Sequence, residues 1–313
     1  MRIGLDIMGG DHAPVSTVRG AVMAAEDLKG SCQLVLIGDQ DKIHAELEQA
    51  GGKLSDFEIV HASQVVKMTD HPTRAFASSP DSSIAVGFGM MKAGKLDAFA
   101  GAGNTGAMLV GSMYSINAIP GVIRPCITSV LPREDGTTGI ILDVGMNADC
   151  KPDVLYQFAI LGSIYVEHVY GVKDPKVGLL NIGEEEEKGN LLTLTTHKMM
   201  KDTRDFNFVG NVEGRDLFDK TADVVVCDGF TGNVVLKEAE AIYTLLLKRG
   251  IQDEYFERFN YENYGGTPIL GINGTVVIGH GISGPKAIRK MIHHTKEVVE
   301  ADLPARLKEA FKQ

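Results

Sequence analysis

Short apolar runs alternate with longer helical patterns from one end of this sequence to the other, and that alternation restricts the fold more than any other feature. Candidate strands lie at residues 3–7, 34–37, 57–61, 98–100, 127–131, 139–143, 177–182, 207–209, 224–227 and 275–278. Several are rich in β-branched residues without polar alternation, as strands covered on both faces require. Between them, residues 15–29, 83–93, 105–116, 154–170, 190–201 and 233–248 carry helical patterns, and a last helix or helix pair runs from Lys286 to the C-terminus. Such repetition predicts an α/β protein, a Rossmann-like three-layer α/β/α arrangement around a mainly parallel sheet. No Ser/Pro-rich linker, low-complexity tract or short repeat divides the chain. A single catalytic α/β domain over residues 1–313, with two interlocked halves, is therefore expected. In such sheets the site lies beyond the carboxyl ends of the strands, and the unusual loops fall there.

Charge narrows the function. A formal net charge of −10 leaves no basic face for nonspecific nucleic-acid binding, and the absence of Trp argues against an aromatic base-stacking platform. Any anionic ligand must be held by local fields: helix N-termini, backbone amides and a few cations. Cys32, Cys126, Cys150 and Cys227 form no C-x-x-C pair or zinc-type spacing, so reduced thiols in a cytoplasmic protein are expected. The apolar start at Ile3 is too short for a signal peptide, and no run reaches the roughly 20 apolar residues of a membrane span.

Five loops concentrate glycine with polar side chains. The first is Asp6-Ile7-Met8-Gly9-Gly10-Asp11-His12, where two glycines allow a sharp turn before a helix. The second, Gly101-Ala102-Gly103-Asn104-Thr105-Gly106, matches G-x-G-x-x-G between a strand and a helix. A nicotinamide-dependent dehydrogenase is one reading of it, but no acid lies about twenty residues beyond to take a ribose. An anion cradle for phosphate is the other. The third, Asp143-Val144-Gly145-Met146-Asn147-Ala148-Asp149, sets a glycine between two acids that could anchor the loop or cap the following helix. In the fourth, Asn181 to Asn190, a run of four glutamates reads as a solvated face. Lys188 beside Gly189 offers instead a fixed ammonium with room for a ligand. The fifth, Asp228-Gly229-Phe230-Thr231-Gly232-Asn233, brings a carboxylate, a hydroxyl and an amide to a helix start, with Asn233 as a plain N-cap the simpler alternative.

Other constellations are poorer. Cys227 has no partnering His in a recognisable arrangement and reads as a buried strand-end thiol. Adjacent His293 and His294 point about 100° apart on a helix and make a poor chelate. There is no P-loop, H-E-x-x-H or G-x-S-x-G, and neither a metal nor an organic cofactor is expected.

Taken in order, Met1–Pro14, Gly103-Asn104-Thr105-Gly106-Ala107, Gly178 to Glu185, Asp228 to Lys237, Tyr264 to Gly271 and His280-Gly281 resemble the phosphate acyltransferase family of bacterial phospholipid synthesis. The resemblance implies a fold akin to isocitrate dehydrogenases and phosphotransacetylases, in a homodimer. It implies transfer of a fatty acyl group from acyl carrier protein to inorganic phosphate, giving acyl phosphate for a membrane glycerol-3-phosphate acyltransferase. Lys188 and Asn233 match the lysine and asparagine implicated in catalysis. Asp6, Gly9, Gly10, Asp11, His12, Gly103, Asn104, Thr105, Gly106, Asn147, Asp149, Asp228, Thr231 and Gly232 are the candidate substrate-binding set, with the aspartates pinning the loops. Two departures stand out: a usual Gly-Ala-Asn reads Gly145-Met146-Asn147, and the stretch from Asn233 to Tyr264 is shorter than in many members. That stretch includes residues 240–263, the helical projection linked to peripheral contact at the inner face of the membrane. An acidic carrier needs a basic dock. Lys286, Arg289 and Lys290 recur at helical spacing, with Lys248, Arg249 and Arg258 as a second set. An acyl-coenzyme A phosphotransacylase and a non-catalytic, membrane-associated lipid-sensing scaffold are the rival readings.

Overall fold

The computed structural model describes residues 1–312. Two compact units divide the chain: residues 1–118 with 261–304, and residues 119–260 with the C-terminal residues from 305. Eleven strands are formed among the described residues: β1 (Arg2–Asp6), β2 (Gln33–Gly38), β3 (Phe57–His61), β4 (Ala98–Gly101), β5 (Cys126–Pro132), β6 (Thr138–Leu142), β7 (Lys176–Leu180), β8 (Asn207–Val212), β9 (Val224–Val226), β10 (Thr267–Leu270) and β11 (Thr275–Ile278).

In the first unit the strand order is β3-β2-β1-β4-β11-β10. All neighbours are parallel except β10, which runs antiparallel to β11. Side chains on β4 point alternately to two covered faces, as the period of two demands. Ala98 and Ala100 join Ile3, Leu5, Val18, Ala21, Ile288 and Ile292 in one apolar cluster. That cluster seats the helices Val15–Leu28 and Pro285–Glu300 on one side of the sheet. Phe99 points the other way and meets Phe88 of the helix Ser83–Lys92 edge-on, ring centroids 5.2 Å apart. Each fully buried Leu, Ile or Phe here stabilises by about 1.5–3 kcal/mol relative to exposure. At Gly20 a Cβ would stand 2.5 Å from that of Ile288, so glycine is what lets the two outer helices touch.

The second unit repeats the plan with strand order β5-β6-β9-β7-β8, parallel apart from β5. Gly162 of the helix Pro152–Val169 lies against Val224 and Leu142 on one face. On the other, Ile141 and Val225 pack with Val235 and Leu236 of the helix Gly229–Lys248. Each unit is therefore a helix–sheet–helix sandwich, as the sequence periodicity predicts.

Differences from the expected elements have local causes. The helix Gly229–Lys248 starts four residues before the expected 233 because Asp228 caps it, accepting the Thr231 amide at 2.8 Å. The helix Gln40–Gln49 buries only Ile43 and Leu47, too thin an apolar stripe to register, and depends on its Asp39 cap. Strand β10 is four residues long and holds Pro268, which cannot donate to a ladder. Among the described residues, no helix is long and apolar enough to cross a membrane. After Lys248 the chain continues through a single turn of helix at Glu254–Glu257. Arg258 then donates to the carbonyls of Arg133 and, at 2.6 Å, Thr137, so this cation of the second docking set serves the fold.

Candidate active site

Register alone brings three of the five loops together in the second unit. Leu142 and Leu179 both pair with Val226, so the chain leaving β6, β9 and β7 does so at adjacent strand ends. The loops that begin at Asp143, Cys227 and Asn181 are thus neighbours.

Asp143 is fully buried and organises its loop. Oδ1 accepts the amides of Ile127 and Val144, each at 3.0 Å, while Oδ2 accepts the Asn147 amide at 2.5 Å and its Nδ2 at 3.1 Å. Burial pushes the Asp143 pKa up, and these donors offset only part of the rise. Asn147 also donates to the Pro125 carbonyl at 2.8 Å, so its carboxamide is committed to the loop. Asp149 is exposed and caps nothing; the helix Pro152–Val169 begins with Lys151 at the cap position. Sequence reasoning placed Asp149 in the candidate set and left out Asp143, whose burial has no signature in composition.

The helix Gly229–Lys248 sits directly on this loop because two glycines let it. A Cβ at Gly229 would lie 2.7 Å from Asp143 Oδ2, and one at Gly232 only 2.0 Å from the Asp143 carbonyl oxygen. Asp228 and Thr231 are consumed by the cap, the Thr231 hydroxyl donating to Asp228 Oδ2 at 3.0 Å. The Gly232 amide is taken by the Asp228 carbonyl at 3.0 Å. Asn233, five residues into the helix, is exposed and its side chain lies beside Gly145, whose φ is +121°. Its carboxamide has no hydrogen-bond partner among the described residues. Cys227 is sealed beneath Gly232, and burial pushes its thiol pKa well up, which removes it as a nucleophile.

On the third loop Asn181 donates from Nδ2 to the Lys188 carbonyl at 3.1 Å and closes a turn over Gly183. The Lys188 stem crosses Gly183, where a Cβ would meet Cγ at 2.8 Å. Its ammonium is exposed and forms no ion pair among the described residues, although four glutamates precede it. Glu184 is paired with Arg215 at 3.1 Å and Glu186 with Lys201 at 2.6 Å. Asn190 caps the next helix in a capping box with Thr193.

The first unit gathers the other two loops in the same way. Asp6 pairs with Gly101, and Gly101 with Ile278, so the chain leaving β1, β4 and β11 emerges side by side. Asp6 is 2% exposed; Oδ1 accepts the Met8 amide at 3.1 Å and Oδ2 completes no hydrogen bond. Burial pushes its pKa up to about 6, against the pull of the Ser83 hydroxyl and nearby amides. Gly9 and Gly103 clamp that carboxyl: a Cβ on either would lie 2.2 and 2.8 Å from Oδ2. Gly10, at φ +110°, brings its neighbour's amide to Gly281, with Asp11 N to Gly281 O 2.7 Å. Asn104 is buried and spent, donating to the Lys67 and Asp70 carbonyls at 3.0 Å and accepting the Ala107 amide at 3.0 Å. Gly106 packs against Pro72. The side chains of Asp11, His12 and Thr105 are exposed and make no hydrogen bond among the described residues.

The basic face of the helix Pro285–Glu300 is mixed. Arg289 is forked onto Asp27 at 2.5 and 2.8 Å, with His293 on the same carboxylate, leaving Lys286 and Lys290 exposed and unpaired among the described residues.

Two mainly parallel sandwiches with glycine-lined loops at their strand ends place the chain in the phosphotransacetylase-like α/β fold class. Solved structures of that class superpose on the chain. They include a phosphotransacetylase from Streptococcus pyogenes (TM-score 0.65, 16% identical, 96% of this chain and 94% of that one). A branched-chain phosphotransacylase from Enterococcus faecalis is another (TM-score 0.62, 13% identical, 96% and 99% covered). At such identities the likeness is one of fold. Sequence carries the assignment further, since the profile of the family described as "Fatty acid synthesis protein" matches residues 1–306. A phosphate acyltransferase from Desulforamulus reducens is 44% identical over 99% of this chain and 97% of its own length. One from Geobacter sulfurreducens is 42% identical over 99% and 94%. The chain belongs to the phosphate acyltransferase family, whose members are acyltransferase enzymes of fatty-acid and lipid synthesis.

Proposed function

We propose that this chain moves a long-chain fatty acyl group from acyl carrier protein to inorganic phosphate, and that the acyl phosphate acylates glycerol 3-phosphate through a membrane acyltransferase. The observation that carries this reading is the pair Lys188 and Asn233. Both are exposed, both lack partners among the described residues, and neighbouring strand ends present them. Phosphate is anionic at neutral pH, so an oxygen of it attacks the thioester carbonyl without a strong base. The tetrahedral oxyanion then collapses, breaking the C–S bond, and the carrier thiol leaves with a proton from solvent. The catalyst's tasks are alignment, worth roughly 7–11 kcal/mol in favourable cases, and oxyanion stabilisation, worth about 3–4 kcal/mol per donor. Lys188 neutralises phosphate or the developing oxyanion, and the Asn233 carboxamide donates to the same charge. Gly9, Gly10, Gly103, Thr105 and Gly106 are the proposed contacts for phosphate or the phosphopantetheine arm. Lys286 and Lys290 are the proposed carrier dock.

The family's homodimer and peripheral membrane contact belong to the same proposal, in a protein working in the cytoplasm. Phe230, Val234, Ile242 and Leu245 are all at least half exposed along the helix Gly229–Lys248, which supports a face that is covered in the working state.

Purified protein incubated with palmitoyl-acyl carrier protein and phosphate, with hydroxylamine trapping, tests the reading. Phosphate-dependent product mainly from the carrier is expected. Product mainly from palmitoyl-coenzyme A moves the chain to the coenzyme A-dependent class with the same chemistry, and no product from either leaves the scaffold reading.

A further inference from the structure

The loop that carries Lys188 contributes little to any core of its own, since every residue from Glu184 to Lys188 is exposed. What holds it lies behind it. Asn211 on β8 donates from Nδ2 to the Glu185 carbonyl at 2.9 Å, and that same oxygen accepts the Lys188 backbone amide at 3.1 Å. Behind Asn211, the helix Leu191–Met200 places His197 Nδ1 3.0 Å from Asn211 Oδ1. A carbonyl can only accept, so Nδ2 must face Glu185 and Oδ1 must face His197; Nδ1 of His197 therefore carries the hydrogen. Both side chains are buried, at 5% and 7% exposure.

The backbone is bent to make this arrangement. Strand β8 pairs with β7 as Val177 with Phe208 and then Gly178 with Gly210, so Val209 is an inserted residue, a β-bulge. In a regular strand, positions 208 and 211 would face opposite sides of the sheet, being three apart. The inserted residue puts them on one side. Phe208 packs edge-on against the His197 ring with centroids 5.2 Å apart, while Asn211 reaches its Nδ1. Gly210 takes φ +103° at the bulge, and a Cβ there would meet nothing within 4 Å. Glycine serves the backbone conformation here and not a shortage of space.

We propose that His197 and Asn211 are positioning residues for Lys188, a buried relay through the Glu185 carbonyl that sets the turn presenting the ammonium. The inference rests on the catalytic role proposed for Lys188. The pairs Glu184–Arg215 and Glu186–Lys201 tether the outer side of the same loop, but they are solvent-exposed and weaken with salt. The relay is shielded from both.

Acyl phosphate formation is measured for the wild type, Lys188→Ala, Asn211→Asp, the double variant, His197→Leu and His197→Asn, with melting temperatures alongside. Asn211→Asp keeps the shape but replaces the donor to Glu185 with an acceptor. Its kcat is expected to fall about 10- to 100-fold, the scale of a roughly 1 Å misplacement, with both KM values nearly unchanged. His197→Leu falls comparably, and His197→Asn, whose amide can supply a donor near the Nδ1 position, recovers most of the loss. On a Lys188→Ala background Asn211→Asp adds no further loss. Equal losses in both backgrounds, or full kcat in folded Asn211→Asp with Lys188→Ala impaired, overturn the relay alone. Lys188→Ala at the wild-type rate overturns the catalytic reading and the relay with it. If Asn211→Asp does not fold, the contrast between the two His197 variants decides.

Discussion

Both units end their central strands in glycine-rich loops, yet the two loop clusters use their polar groups differently. In the first unit the buried polar residues are spent on the fold: Asn104 satisfies four backbone groups, Asp6 is walled in by Gly9 and Gly103, and the side chains left over, Asp11, His12 and Thr105, include no lysine or arginine. In the second, Asp143, Asn147, Asp228 and Thr231 are spent in the same manner, but Lys188 and Asn233 are left over. A glycine turn marks where the backbone must come close to something. Only the polar groups left without partners indicate that the something is a ligand.

The largest expected effect tests that difference at its centre. Lys188→Ala should lower kcat about 10²- to 10³-fold, the usual loss when one charge-stabilising donor is removed, with the melting temperature unchanged because the ammonium bonds to nothing in the fold. Asn233→Ala should follow the same pattern with a smaller factor. Asn104→Ala should do the reverse, lowering the melting temperature before it touches the rate of folded enzyme. Steady-state rates beside thermal melts separate the cases, and a Lys188→Ala variant that melts early but turns over normally would break the comparison.

Asp6 offers the next effect, in stability. Its folded pKa of about 6 stands above the ordinary 3.8, so the folded state holds the proton between those values. The stability this gives is complete below pH 3.8 and is lost as pH rises through 6. The difference corresponds to about 3 kcal/mol of destabilisation at pH 8. Asp6→Asn, which cannot ionise, should melt higher than the wild type at pH 8, with the gap closing towards pH 4. A gap independent of pH would show that the carboxyl is not titrating in that window.

Much of this was legible in the sequence. The α/β class, nine of the eleven strands within a residue or two at most ends, and the loops flanking the sheet followed from periodicity and glycine placement. Strand β10 was missed, and β8 was seen only in part. Lys188 stood out as an ammonium beside Gly189 and Asn233 as an amide at a glycine-lined helix start, while their catalytic roles came from family resemblance. What was not legible is the state of each polar side chain. Nothing in the string distinguishes Asp143, buried and saturated, from Asp149, exposed six residues later. Nor does it reveal that a bulge at Val209 turns Asn211 towards His197, because register is decided by pairing with β7.

Seating of the helix Gly229–Lys248 gives a smaller and more local test. Gly232→Ala would push a methyl group into the Asp143 carbonyl, where the Cβ would stand 2.0 Å away. Overpacking of this kind costs about 1–3 kcal/mol. In the first unit, Gly106→Ala meets Pro72 Cγ at 2.3 Å and should cost a similar amount. Both variants should melt earlier. Gly232→Ala should also lower kcat, since Asn233 rides on the displaced turn, and an unchanged kcat in the folded Gly232→Ala variant would argue that this helix start is scaffold.

The smallest effect concerns recognition rather than chemistry. Lys286 and Lys290 are exposed without ion pairs among the described residues, whereas Arg289, one helical turn from Lys286, is already forked onto Asp27. Long-range attraction to an acidic carrier depends on uncompensated charge, and a cation held by a carboxylate at 2.5 Å presents almost none to a partner. Lys286→Glu should therefore raise the KM for acyl-acyl carrier protein several-fold at low salt, with the increase shrinking as ionic strength rises. Arg289→Ala leaves Asp27 exposed to the same partner and should have the weaker effect of the two, with KM for phosphate and kcat unchanged in both. A larger increase for Arg289→Ala than for Lys286→Glu would mean that the carrier opens the Asp27 pair on docking.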